Sequence, residues 1–198
     1  MELKSLANRN KSKRPVVEED DSDFAPPLSK RGVAWCNEVW CRLNSPKHSF
    51  LTWLAVQNRL KTRERLFKYK IIDSPDCILC SNDKEIVDHL FFKCETSLDC
   101  LKQLKDWLNW QVNLDSLQGL LKWIRKSNNS KFLKNVKMAT VATLVYSIWR
   151  ARNDLFWNSN RQQSAEIVKQ IKWAVKNRIM FAMPKKVKQK DRDWFQLL

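Results

Sequence analysis

Four potential metal ligands lie close together in the middle of the sequence: Cys77, Cys80, His89 and Cys94. Their spacing is C-x2-C-x8-H-x4-C, in the stretch CILCSNDKEIVDHLFFKC. Two thiolates separated by two residues can hold one ion from a tight turn, and a His and a Cys from a following helix complete a tetrahedral shell. Because four protein ligands leave no position for water, the pattern predicts a structural zinc ion (Zn2+) rather than a catalytic one.

The sequence leaves two alternative roles open for these four residues. A disulfide framework would need an oxidising compartment, but the N-terminus MELKSLANRNKSKR lacks the apolar stretch of a signal peptide. Buried free thiols with a core histidine would explain one or two of the residues, but not four at ligand spacing. The sequence therefore favours zinc.

The remaining cysteines and the second histidine fit no metal site. Cys36, Cys41 and Cys100 have no common ligand spacing, so we interpret them as small buried hydrophobes. His48 follows Lys47 at a predicted helix start, and we interpret it as a surface or capping histidine.

The elements that position the cluster are predicted to be helices. Between residues 47 and 183 the chain has one proline, Pro75, and one glycine, Gly119, and so few breakers are typical of helices. Apolar periodicity predicts a long helix over residues 132–157 and another over residues 164–180. The predicted fold class is mainly α: a small helical domain with one structural zinc module of CCHC type and at most a short β ribbon, around residues 71–82.

The predicted domain organisation has four parts. Residues 1–30 form a disordered basic and acidic arm, residues 31–110 a helical zinc-binding module, residues 111–183 a basic helical region packed on it, and residues 184–198 a basic tail. Within the arm, KSKRP at residues 11–15 is a candidate nuclear import signal. We therefore expect a nuclear protein, with the cytoplasm as the alternative.

The positive charge is concentrated in the C-terminal part. The chain carries 37 Lys+Arg and 21 Asp+Glu, a net charge of +16, and residues 111–198 alone hold 18 basic and 5 acidic side chains. Such asymmetry predicts a polyanionic partner, RNA or DNA, with a solvated cationic surface as the alternative. The candidate nucleic-acid contacts are Lys122, Arg125, Lys126, Lys131, Lys134, Lys137, Arg150, Arg152, Lys169, Lys172, Lys176 and Arg178.

Aromatic side chains add a second candidate contact with nucleic acid. Trp110, Trp123 and Trp157 could stack on the bases of a single strand if they are exposed, although helical spacing around them favours the core.

Composition also excludes some partners. Two glycines in the whole chain leave no Gly-rich loop to cradle the phosphates of a small-molecule nucleotide. No apolar run approaches the ~20 residues needed to span a bilayer, so we expect no membrane partner.

Two runs of sequence resemble a known family. PKHSFLTWLAVQNRLKTRERL (residues 46–66), followed by the cysteine and histidine cluster with DHLFFKC, resembles the zinc-binding domain downstream of plant LINE-type (non-LTR) reverse transcriptases. VYSIWRARNDLFWN (residues 145–158) is similar to the segment that follows it there, so the resemblance covers roughly residues 33–182. It implies that Cys77, Cys80, His89 and Cys94 bind zinc, and that the module helps a polymerase engage template RNA or target DNA.

The resemblance does not extend to an enzyme. The sequence has no aromatic-x-Asp-Asp motif of a polymerase palm and no recognisable RNase H domain, so we expect a free-standing copy of the accessory region without catalytic activity. The predicted function is non-enzymatic zinc and nucleic-acid binding. The alternative is a zinc-stabilised protein–protein interaction module, such as a nuclear adaptor, whose basic surface meets an acidic protein partner without contacting nucleic acid.

Overall fold

A computed structural model describes residues 39–113 and 115–198. The predicted arm over residues 1–30, its basic cluster and Cys36 lie outside the described residues. The prediction of a mainly α fold is confirmed. The helices are α1 Pro46–Val56, α2 Arg63–Lys68, α3 Glu95–Leu108, α4 Leu117–Lys126, α5 Lys131–Asn158, α6 Ser164–Ala182 and α7 Gln189–Gln196.

Strand pairing in the described part of the chain is confined to one isolated antiparallel bridge, between Asp76 and Lys84. This bridge brackets the turn that carries the first two cysteines. It is displaced by a few residues from the ribbon predicted around residues 71–82, and it agrees with the prediction of minimal β structure.

Two serine caps set the beginnings of the central helices. The Ser116 hydroxyl accepts a hydrogen bond from the Gly119 amide (3.3 Å), and the Ser130 hydroxyl accepts one from the Leu133 amide (3.2 Å). Each cap satisfies an amide that has no partner within its own helix. Helices α4 and α5 therefore begin at defined residues and meet at a short connection.

Helix α5 is the centre of the core. It packs against α1, α4 and α6, and every residue from 136 to 145 is buried. A helix that is enclosed on all sides must be largely apolar, and this stretch contains a single charged residue, Lys137. None of the helices in the described ranges combines the length and apolarity of a bilayer crossing.

The segment predicted as a basic tail contains a packed helix. On α7, the Phe195 ring meets the Phe132 ring edge-on, with centroids 6.2 Å apart. The Trp107 indole Nε1 donates a hydrogen bond to the Leu198 carbonyl (3.1 Å). The end of the chain is thereby attached to α3 and α5.

His48 is a correction to the sequence interpretation, because it is a core residue and not a surface or capping one. Its ring stacks on Tyr146 with centroids 4.5 Å apart, and Nδ1 lies 3.2 Å from the Thr143 hydroxyl. That hydroxyl donates its own hydrogen to the Ala139 carbonyl, so it accepts from His48 Nδ1–H. Burial, with the charges of Lys47 and Arg178, lowers the pKa of His48 to about 4.

Two of the remaining cysteines are buried, as predicted. Cys41 and Cys100 both lie in the apolar core. Burial raises the pKa of the Cys41 thiol and raises that of Cys100 to about 12. Both groups are therefore neutral thiols at physiological pH, and neither lies in the metal cluster.

Candidate metal centre

The first two ligands come from a tight turn. The Ser81 amide donates to the Cys77 carbonyl (2.7 Å), and the Cys77 amide donates to the Asp83 carbonyl (2.8 Å). Ser81 has a φ of 60°, in the left-handed region that lets the chain reverse direction. This turn brings Cys80 back toward Cys77.

The other two ligands flank a π-helical turn, His89–Lys93. The Cys94 amide donates to the His89 carbonyl (2.8 Å), and this bond between residues five apart closes the turn. Helix α3 starts directly after Cys94. The sequence predicted that the third and fourth ligands come from a helix after the turn, and the structure gives a π-helical turn there, a widened form that apolar periodicity does not encode.

The four ligand atoms lie within 4.8 Å of one another. The Sγ atoms of Cys77 and Cys94 are 3.9 Å apart, and Cys80 Sγ is 3.3 Å from His89 Nε2. A tetrahedral zinc with Zn–S of about 2.3 Å and Zn–N of about 2.0 Å has S···S and S···N edges of roughly 3.8 and 3.5 Å. The arrangement therefore fits one structural zinc with three thiolates and one imidazole.

The pKa values of the three thiols also indicate that a cation would be bound favourably at this site. The hydrogen bond from Cys77 stabilises the Cys94 thiolate and lowers the pKa of Cys94 to about 5. The same bond, together with burial, raises the pKa of Cys77, and burial raises that of Cys80. If all three thiols were ionised at this distance, their negative charges would repel one another. A divalent ion at their centre removes that repulsion and stabilises the three thiolates.

Asp83 completes the surroundings of the histidine ligand. Its Oδ2 lies 3.7 Å from His89 Nδ1, while Nε2 faces the cysteine sulfurs. A carboxylate beside the distal ring nitrogen favours a proton on Nδ1 and leaves Nε2 free to bind metal. His89 itself is buried, so the ring orientation is fixed by packing as well.

A buried ion pair that was not predicted from the sequence lies beside the metal centre. Glu85 Oε1 is 2.8 Å from Arg152 Nη2, and both side chains are almost completely enclosed. The Arg152 guanidinium also lies 5.0 Å from the ring centroids of Trp149 and Phe156. The pair joins the loop between the second and third zinc ligands to α5.

Glu85 has further partners on two other segments. Its Oε1 accepts a hydrogen bond from the Arg63 amide (2.9 Å) at the start of α2, and Oε2 accepts one from the Ile78 amide (3.5 Å) inside the cysteine turn. Its own amide donates to the Pro75 carbonyl (2.9 Å). One carboxylate thus links the turn, α2 and α5.

Two of the twelve predicted nucleic-acid contacts are wrong. Arg152 is 2 % exposed and paired with Glu85, and Lys137 is 5 % exposed with its ammonium over the rings of Trp110 and Trp123. Burial lowers the pKa of Lys137. Neither cation can reach a phosphate on the surface.

The other predicted contacts divide by location. Arg178 is half-buried, and its guanidinium donates to the carbonyls of Leu43 (3.3 Å) and Asn44 (3.0 Å), which holds the segment before α1 against α6. Arg150 is exposed, and its Nε lies 4.0 Å from Asp154 Oδ2. The rest are exposed or half-buried on α4, α5 and α6: Lys122, Arg125, Lys126, Lys131, Lys134, Lys169, Lys172 and Lys176.

The tryptophans also divide. Trp110 is buried, Trp123 is half-buried, and Trp157 is 75 % exposed. A fourth, Trp173 on α6, is 71 % exposed and was not among the predicted contacts. Its position opposite the apolar residues of α6 is the periodicity signal that could have identified it.

Comparison with known proteins points to the same module. Residues 27–100 match the family model described as zinc-binding in reverse transcriptase. The matched range contains all four residues of the cluster. No curated protein and no solved structure matches the chain.

Proposed function

We propose that the chain is a non-enzymatic, zinc-stabilised nucleic-acid-binding protein, derived from the accessory region of a plant LINE-type reverse transcriptase. The family match supports the zinc-binding part of this proposal. Nucleic-acid binding rests mainly on one feature, a cluster of cations where α4 ends and α5 begins. We call this cluster the basic corner; its members are Lys122, Arg125, Lys126, Lys131 and Lys134.

Contacts between the two helices bring these charges together. Lys134 Nζ donates a hydrogen bond to the Arg125 carbonyl (2.9 Å), so the first turn of α5 lies against the last turn of α4. Lys122, Lys126 and Lys131 are exposed. Rows of cations on adjacent helices can follow a phosphate backbone with little reading of base sequence.

The basic corner lies in a stretch of sequence without acidic residues. No Asp or Glu occurs from residue 116 to residue 153, so neighbouring carboxylates along the chain do not neutralise the positive potential. A cluster of cations without carboxylates beside them in the sequence attracts polyanions and raises their rate of association.

The metal centre supports this surface indirectly. All four ligands are protein side chains, so the zinc has no open position for a substrate and serves the fold. The ion pair between Glu85 and Arg152 connects the zinc-binding segment to α5. The zinc site and the basic corner then have separate roles: the zinc stabilises the fold, and the basic corner contacts nucleic acid.

A salt titration tests the proposal. Binding of labelled single-stranded and duplex oligonucleotides is measured by fluorescence anisotropy over a series of salt concentrations. Neutralising about five phosphates gives a slope of log K against log[salt] near −3.5 for single strands and near −4.5 for duplex. No binding at low salt, or a flat slope, contradicts the proposal. Capture of an acidic protein partner that survives nuclease treatment, without nucleic-acid affinity, would support the interaction module instead.

A further inference from the structure

Helix α6 presents one aromatic ring directly away from the core. Its buried row is Ile167, Ile171, Val175 and Ile179. At 100° per residue, Trp173 lies about 180° from the middle of this row. Its ring is 71 % exposed, so its large apolar area does not serve packing within the chain.

Cations lie on both sides of this ring along the helix. Lys169 is four residues before Trp173 and Lys176 is three residues after it, which places both lysines on neighbouring positions of the same face. Lys169 is exposed and Lys176 is half-buried. Glu166, three residues before Lys169, is the one acidic residue of α6, and the sequence has no Asp or Glu from residue 167 to residue 190.

We propose that Lys169, Trp173 and Lys176, which we call the α6 face, bind single-stranded nucleic acid. An unpaired base stacks on the Trp173 indole, and the two ammonium groups contact phosphates on either side of it. This inference rests on the proposed function and names its substrate class. A single exposed tryptophan is ordinary on a protein surface. The flanking cations distinguish this one, because a π face between two positive charges suits a base between two phosphates.

The dimensions agree with such a strand. Lys169 and Lys176 are seven residues apart, or about 10.5 Å along the helix axis. At about 3.4 Å per stacked nucleotide, this distance covers roughly three nucleotides. The central one then lies beside Trp173. A duplex keeps its bases stacked internally, so it cannot use the ring.

The test is the affinity of Trp173→Ala for a labelled single strand, measured by anisotropy. A label on the oligonucleotide is needed because the chain has ten tryptophans, which would obscure quenching of one. We expect roughly 5- to 150-fold weaker binding of the single strand, and less than about twofold change for a duplex. Trp173→Phe retains an aromatic face and should recover most of the affinity.

Trp157→Ala is the matched control. Trp157 is similarly exposed, at 75 %, and its ring meets Phe156 edge-on. Asp154 stands three residues before it on α5, where the α6 face has a lysine one turn before its ring, so the stacking that the sequence allowed for Trp157 lacks the flanking cations. We expect Trp157→Ala to change single-strand affinity less than about twofold. Zinc content and thermal unfolding of both variants should match the unmodified protein, since both rings are exposed.

The outcomes separate this inference from the proposed function. If the unmodified chain binds single strands with a steep salt dependence and Trp173→Ala binds equally well, the stacking inference is overturned and the proposed function stands. If Trp173→Ala weakens single-strand and duplex binding alike, stacking on an unpaired base is also overturned. If the unmodified chain binds no nucleic acid at low salt, the proposed function itself fails.

Discussion

Arg152 on α5 forms a buried ion pair with Glu85, their Nη2 and Oε1 atoms 2.8 Å apart, and so connects the metal-binding segment to the centre of the helical core. The two residues are separated by 67 positions in sequence. Glu85 also accepts a hydrogen bond from Ile78 in the cysteine turn. Disturbing this pair should therefore affect the stability of both the turn and α5.

Glu85→Gln tests that relationship. The substitution keeps the shape of the side chain but leaves the Arg152 charge buried without a counter-ion, which should lower the free energy of unfolding by about 3–5 kcal/mol. Urea denaturation of the zinc-loaded protein measures this loss.

The matched control for that variant is Glu64→Gln. Glu64 pairs with Lys68 on the surface of α2, where an ion pair contributes only about 0–1 kcal/mol. Equal losses for the two variants would show that the Glu85 pair contributes no more than a solvent-exposed one.

Asp83→Asn should weaken zinc binding by roughly 10- to 100-fold, because Asp83 holds a carboxylate beside His89 Nδ1. Competition with a chromophoric chelator measures the affinity. Asp88→Asn removes the same charge from an exposed position next to His89 in sequence, and it should change the affinity much less. An unchanged affinity for Asp83→Asn would show that Asp83 does not support the ligand.

His48 should make stability fall on acidification. Its pKa is lowered to about 4 in the folded chain, against an ordinary value of 6.5, so between these values the unfolded chain binds more protons. Its contribution is complete above pH 6.5 and is lost as the pH falls toward 4, by about 3 kcal/mol.

Comparison with His48→Gln isolates this effect. Both proteins have the same zinc ligands, so any loss of zinc at low pH cancels in the difference between their unfolding free energies. We expect this difference to change steadily between pH 6.5 and pH 4. A constant difference would mean that His48 does not titrate with a lowered pKa.

Exposed and buried lysines should differ in their effect on nucleic-acid binding. Lys131→Glu reverses an exposed charge of the basic corner, and it should weaken binding about tenfold at low salt and flatten the salt slope. Lys137→Met removes a buried charge, and it should leave affinity and slope nearly unchanged. Anisotropy titrations compare the two. An equal loss in both variants would contradict the assignment of the binding surface.

The parts of the fold that the sequence predicts are those encoded locally. The four metal-binding residues lie within 18 positions of one another, so their spacing alone indicates a shared site. Helices α5 and α6 follow from apolar periodicity, which predicted helices over residues 132–157 and 164–180. Short-range patterns were sufficient for each of these.

The parts that the sequence misses depend on partners far away in the chain. Lys137 and Arg152 are cations on a helix, and periodicity assigns such residues to the surface. Their burial depends on Trp110 and Glu85, which reach them only in the folded chain. His48 is buried for the same reason, since its partner Thr143 is 95 positions away.

The measurement that tests the central claim most directly is the zinc content of purified protein by elemental analysis. We predict one zinc per chain, lost in Cys77→Ser and retained in Cys100→Ser. Both cysteines are completely buried, but only Cys77 belongs to the cluster. Finding no zinc in the unmodified chain, or equal zinc in both variants, would contradict the claim that Cys77, Cys80, His89 and Cys94 hold a structural zinc.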